Sequence, residues 1–181
     1  MSRSWTENLT SPAALLRFVG VCALGLVLDL WTKWLAQTHL APTSASVHFI
    51  PGWLHFEWTT NRGAVFGLGQ GQVVLFVAVS IGAIAFLAYL FAVSGRQPLY
   101  QIILAMLLAG GLGNMYDRIA FGYVRDMIHA LPRWPKLFPW IFNVADSMLC
   151  VGVFLMIVYS MAHRHAPKSD LEPQLNAEAR G

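Results

Sequence analysis

Four long apolar stretches dominate the chain, and each is long enough to cross a bilayer as a helix of about 20 residues. They run over Ala13–Ala36, Val73–Val93, Leu99–Arg118 and Pro139–Ala162. The second carries no charge; the other three carry polar residues that lipid would not tolerate without partners. Between the first two lies a long loop, Gln37–Gln72, in which VHFIPGWLHFEWTTN alternates β-branched and aromatic residues around Pro51-Gly52 and reads as a hairpin. SGRQP is a tight turn. The third loop, Ile119–Phe138, is rich in Pro, Trp and Phe and suits the membrane interface, with Trp134, Phe138 and Trp140 seating it there. Residues 1–162 read as one four-helix membrane domain. Residues 163–181, with Pro167 and Pro173, read as a polar cytoplasmic tail without order.

Composition sharpens this picture. Only 12% of the 181 residues are charged and 56% are hydrophobic. A soluble domain carries about 25% charge, so this chain lacks the charge to cover a water-facing surface. The net charge of +3 is small and scattered, which excludes a nucleic-acid footprint. The N-terminus does not read as a cleaved signal peptide, because its apolar run is too long and ends in charge. Lys and Arg counts put Arg3, Arg96, Arg164 and Lys168 on one side and Arg62 on the other, which supports both termini in the cytoplasm. Arg118, Arg125, Arg133 and Lys136 oppose that pattern unless Arg118 and Arg125 belong to a site. Cys22 and Cys150 read as small core residues. The histidines His39, His48, His55, His129, His163 and His165 make no metal-ligand spacing.

The intramembrane polar residues carry the chemistry. Asp29 and Lys33 are four apart on one helix face and form an ion pair with a structural role, Lys33 reaching the interface beside Trp31 and Trp34. Arg17, at the other end of that helix, snorkels. Asn114, Asp117 and Arg118 share a face of the third helix, where Gly110, Gly111 and Gly113 permit close approach. Asn143 and Asp146 fall in the first turns of the fourth helix, and no cation within a turn neutralises Asp146. Asn61, Gly63 and Ala64 precede the second helix. Asp126 alone looks like an ordinary loop carboxylate. These groups converge on one end of the bundle. Two carboxyls sharing a site cannot both ionise cheaply, which is what aspartyl peptide hydrolysis requires. Three carboxylates, Asp117, Asp126 and Asp146, compete for the two roles, and helix periodicity alone favours Asp117 over Asp126. A proton-coupled transporter is the main rival and a membrane scaffold the second, but a transporter needs polar groups near the midplane.

Five blocks in order resemble lipoprotein signal peptidase, the type II signal peptidase of bacteria. They are D-x-x-x-K (Asp29 to Lys33), N-x-G-A-x-F (Asn61 to Phe66), G-N-x-x-D-R (Gly113 to Arg118), V-x-D (Val124 to Asp126) and F-N-x-A-D (Phe142 to Asp146). The resemblance implies an aspartic endopeptidase in the bacterial inner membrane, with its site toward the extracytoplasmic face. It implies Asp126 and Asp146 as the catalytic pair, and Asp117 as support that orients Arg118. Asn61, Gly63, Asn114, Arg118 and Asn143 would bind substrate or order the site. It further implies cleavage of lipid-modified prolipoproteins just before a cysteine that carries a diacylglyceryl group, with no metal or organic cofactor; a monomer among membrane lipids is expected. The implied fold is all-α, with four transmembrane helices, a β-cradle near Val47–Thr60 and a loop helix near Met127–Phe138. One block departs from the pattern: V-V-D-F is here Val124-Arg125-Asp126-Met127. A cation beside Asp126 would favour its ionised form and leave the proton to Asp146.

Overall fold

Helix starts and stops along this chain follow local chemistry. Ser11 accepts a hydrogen bond from the Ala14 N–H at 3.4 Å, and Pro12 occupies the first turn, so α1 (Pro12–His39) begins there. Pro98 opens α3 (Pro98–Phe121), and Gly122 ends it in the left-handed conformation at φ 78°. The remaining elements are β1 (Val47–Ile50), β2 (Leu54–Asn61), α2 (Val73–Val93), β3 (Val124–Ala130), β4 (Ile141–Phe142) and α4 (Val144–Arg164). The structure, a computed structural model, describes residues 8–63, 71–95, 97–138 and 140–164. The tail expectation beyond Arg164 lies outside the described residues. So do Ala64 to Phe66 of the N-x-G-A-x-F block, and Arg3, Arg96 and Lys168 of the charge-bias argument.

All four helices are long and apolar enough to cross a membrane. The expected class is borne out: a multi-pass, all-α membrane protein carrying a small sheet. Val74 is 83% exposed and Leu16 77%. Apolar surface this open is a lipid contact, not a core. α3 is the central helix and packs against the other three. In its apolar window 56% of residues are buried, against none in that of α2. Small residues let α3 approach its neighbours. A Cβ on Gly110 would lie 2.6 Å from the Ala145 carbonyl oxygen of α4, and one on Gly113 would collide with the Asp29 carboxylate of α1. Gly111 faces open space and plays no such part.

The sheet is antiparallel in the order β1-β2-β3-β4. Its first hairpin comes from the α1–α2 connection and its second from the α3–α4 connection, so both lie at the same end of the bundle. Register brings Val47, Phe56, Ile128 and Phe142 into one cross-strand row, and His48, His55, His129 and Ile141 into the next. A β-bulge between Phe56 and Thr59 lets β2 place Thr59 opposite Asp126.

Three expectations are corrected here. Met127–Phe138 is not a helix: Met127–Ala130 completes β3, and residues 132–137 turn. Pro132 and Pro135 deny that segment consecutive helical hydrogen bonds, while β2 offers a ladder partner. α4 begins at Val144 rather than Pro139, because Ile141 and Phe142 pair with His129 and Ile128. Cys150 is also exposed on the lipid side of α4, while Cys22 is buried.

At the opposite end, Asn8 donates to the Phe91 carbonyl and to Ser94 Oγ, both at 2.8 Å. Gln101 donates to Asn8 Oδ1 at 3.1 Å and to the Gly95 carbonyl at 2.9 Å, and accepts from Arg17. Arg17 therefore ends on a buried amide rather than snorkelling to the interface.

Candidate active site

The carboxylates sit at the sheet end of the bundle, in two layers. The deeper layer is ionic. Lys33 is completely buried, and three acceptors meet its ammonium: Asp29 Oδ2 at 2.7 Å, Asn114 Oδ1 at 3.0 Å and Asp117 Oδ2 at 3.4 Å. The Asn114 contact is a hydrogen bond, and the two carboxylates neutralise the buried charge. The ion pair with Asp29 forms as expected, but Lys33 does not reach the interface; Trp31 and Trp34 point out on the other side. Asp29 Oδ1 accepts the Ala145 N–H at 2.8 Å, satisfying an orphan donor in the first turn of α4.

Asp117 does not orient Arg118. It is buried and held side-on by Arg125, whose Nη2 lies 2.7 Å from Oδ1 and whose Nε lies 3.1 Å away. The Arg125 backbone N–H adds a bond to Oδ2 at 2.9 Å. Arg125 Nη1 reaches Gln37 Oε1 at 2.8 Å, and its guanidinium lies 4.4 Å from the Phe121 ring centre. The expectation that Arg125 acts directly on Asp126 is thereby corrected. Successive strand residues point to opposite faces, so these neighbours on β3 face different partners.

The upper layer holds Asp126 and Asp146. Asn143 caps α4: its Oδ1 accepts the Asp146 N–H at 2.9 Å, and Asp146 Oδ2 accepts the Asn143 N–H at 3.3 Å. This reciprocal pair is a capping box with Asp in the third helical position. Asn143 Nδ2 also donates to Asp126 Oδ1 at 2.6 Å, so one residue hydrogen-bonds both carboxyls. Asn114 Nδ2 donates to Asp146 Oδ1 at 2.7 Å. Asn61, the last residue of β2, bonds to Asp126, and its Oδ1 accepts the Gly63 N–H at 2.9 Å. Arg118 Nη2 donates to the Gly63 carbonyl at 2.9 Å. It stacks over Phe76, and its charge interacts with Asp146 and Asp126. Burial, followed by the charge of Asp146, pushes the Asp126 carboxyl up from the usual range to about 7, against the opposing pull of Asn143, Lys33 and Asn61.

Asn61, Gly63, Asn114, Arg118, Asp126, Asn143 and Asp146 therefore meet in one network, with Asp29, Lys33 and Asp117 beneath it. Sequence reasoning missed Gln37, an ordinary polar residue just past the first apolar stretch. It also missed the alignment of His48, His55 and His129 across three strands, which no spacing reveals. Among the described residues, no group of His, Cys, Asp or Glu is placed to hold a metal ion.

Two carboxyls bridged by one asparagine at the end of a membrane helix bundle define a class: a multi-pass membrane protein equipped like an aspartyl hydrolase. The profile of the family described as "Signal peptidase (SPase) II" matches residues 21–162. The lipoprotein signal peptidase of Chlorobium phaeobacteroides (strain BS1) is 37% identical over 145 residues, covering 76% of this chain and 91% of the relative. That of Acinetobacter baumannii (strain ATCC 17978) is 34% identical over 148 residues, covering 78% and 81%. A solved structure described as a bacterial membrane enzyme at 2.3 Å superposes with a TM-score of 0.75 at 29% identity, covering 84% of this chain and 92% of that one. The chain belongs to the signal peptidase II family, and is an inner-membrane aspartic endopeptidase.

Proposed function

We propose that this protein removes signal peptides from prolipoproteins within the membrane, with Asp126 and Asp146 as the catalytic pair. The substrate's cysteine carries a diacylglyceryl group, and the bond before it is cut. The observation that carries the pair is Asn143, which hydrogen-bonds both carboxyls and so fixes them across one space. Charge supports the reading. Four carboxyls (Asp29, Asp117, Asp126 and Asp146) interact with three cations (Lys33, Arg118 and Arg125), so the network is neutral when one carboxyl keeps a proton. Asp126 is assigned that proton: Asp146 accepts the Asn114 amide and the Asn143 N–H and faces Arg118, while burial beside the charge of Asp146 raises Asp126 to about 7. Asp146 is then the base.

Asp146 takes a proton from water, whose oxygen attacks the scissile carbonyl carbon. Asp126 gives its proton to the carbonyl oxygen. The tetrahedral diol collapses as the amide nitrogen receives a proton from Asp146, the C–N bond breaks, and a proton returns to Asp126. Asn61 and Arg118 line the same space and offer donors to an extended peptide backbone. The sheet end faces the extracytoplasmic side, with both termini cytoplasmic and the protein acting as a monomer. Arg118 and Arg125 are committed to the network, so they no longer count against that orientation.

The test is hydrolysis of a diacylglyceryl-modified prolipoprotein peptide by purified protein. Asp126→Asn and Asp146→Asn should abolish cleavage while Asp117→Asn keeps some. Loss in Asp117→Asn and Asp146→Asn with activity kept in Asp126→Asn would reassign the pair.

A further inference from the structure

Every polar part of Arg125 is engaged. Its N–H and fork hold Asp117, Nη1 holds Gln37 of α1, and its carbonyl accepts from Asn143 at 3.3 Å. It therefore ties the strand carrying Asp126 to α1, α3 and the cap of α4. Its second effect runs through charge. Asp117 accepts four contacts from three donors of Arg125 and only its longest, 3.4 Å, from Lys33. Lys33 is thus free to sit closer to Asp29 and to Asn114, the amide that donates to Asp146. The charge of Lys33 acts on both Asp126 and Asp146.

We propose that Arg125 is a positioning residue for this reaction: by occupying Asp117 it fixes the strand beneath Asp126 and keeps the Lys33 ammonium toward the catalytic pair. The inference rests on the Asp126–Asp146 reading. The cations acting on the pair are Lys33 from α1 and Arg118 from α3; Asp29 and Asp117 lie beneath with Lys33, and Arg125 lies on the other face of β3 against Asp117. Without the guanidinium, Asp117 keeps one backbone N–H and draws Lys33 toward itself. Less positive charge then reaches the pair, its base form appears at higher pH, and the acid limb of the rate profile moves up.

The experiment is a pH–rate profile of peptide hydrolysis for the full-length protein. Arg125→Val should lower kcat about 10- to 100-fold, as a small misplacement does. KM should stay near wild type, and the acid limb should rise by about one pH unit. Arg125→Lys should restore the limb but only part of kcat, because a point charge lacks the fork. The double variant Arg125→Val with Asp117→Asn should return the limb to the wild-type position, since no stranded carboxylate remains to attract Lys33. A wild-type limb in Arg125→Val, or an equal kcat loss at every pH in it, would overturn the proposal. If Arg125→Val does not fold, the other two variants decide: full kcat in Arg125→Lys, or a displaced limb in the double variant, would overturn it. Hydrolysis retained in Asp126→Asn would overturn the reading of the pair instead.

Discussion

The bundle carries a buried polar network at each end, and the two differ in kind. At the turn between α2 and α3, Asn8, Ser94 and Gln101 form hydrogen bonds that close on backbone carbonyls, with Arg17 donating to Gln101 and no carboxylate in the network. At the sheet end, four carboxyls meet three cations and two asparagine amides bridge them. Neutral amides satisfied this way seal a chain end, and nothing in them titrates between pH 5 and 8. An ionic network one cation short retains a proton, and a retained proton is something to donate. The difference teaches that burial of polar groups marks structure or chemistry according to whether a carboxylate is left without its cation.

The largest effect should separate the ends outright. Asp126→Asn or Asp146→Asn should cost at least about 10³-fold in hydrolysis, the order of lost acid–base catalysis. Asn8→Ala and Gln101→Ala should leave kcat near wild type; a comparable loss there would break the comparison. Next comes the pH dependence of stability. Asp126 binds its proton more tightly folded than unfolded, so its stabilising contribution is full below about pH 3.8 and is lost as pH rises through about 7. Asp126→Asn keeps a neutral group at all pH values. Its Tm advantage over wild type in detergent should widen from pH 5 to pH 8, by on the order of a few kcal/mol. A pH-independent difference would mean that Asp126 is not the proton holder.

Smaller again, Asn8→Ala or Gln101→Ala should lower stability by about 1–3 kcal/mol, the cost of stranding buried partners, read as a pH-independent fall in Tm. The smallest effect concerns the rim. Trp134 packs edge-on to Trp53 at 5.0 Å between ring centres, and Phe138 packs on Trp140 at 5.2 Å. Replacing Trp134 or Trp140 by Ala should reduce tryptophan emission from the membrane interface. Unchanged emission would move this segment off the interface.

The membrane class was legible because it rests on one-dimensional quantities. About 20 apolar residues with little charge have few homes but a bilayer, and the Asp29–Lys33 pair follows from helix spacing. The hairpin of β1 and β2 was legible from its alternation around Pro51-Gly52. The blocks carried the family, since five ordered motifs do not recur by chance. β3 and β4 were hidden: their ladder partners lie in another loop, and a Pro- and Trp-rich segment shows no period of its own.

The site divided the same way. Which residues are polar near the ends of the bundle is a property of the sequence, and it named Asn61, Asn114, Asp117, Asn143 and Asp146; Asp126 looks like a loop carboxylate until the V-x-D block singles it out. Which of them pair is not such a property. Asp117 is adjacent to Arg118 along the chain, yet it bonds Arg125 eight residues on, because the Gly122 turn folds β3 back onto the last turn of α3. Arg125 is adjacent to Asp126, yet the strand's pleat sends the two apart. Electrostatics and hydrogen bonding depend on distance through space, and only the packing of three helices against a sheet sets those distances. The sequence by itself determined the solvent, the helices and the inventory of charges; the tertiary structure alone decided which charge each carboxyl would meet.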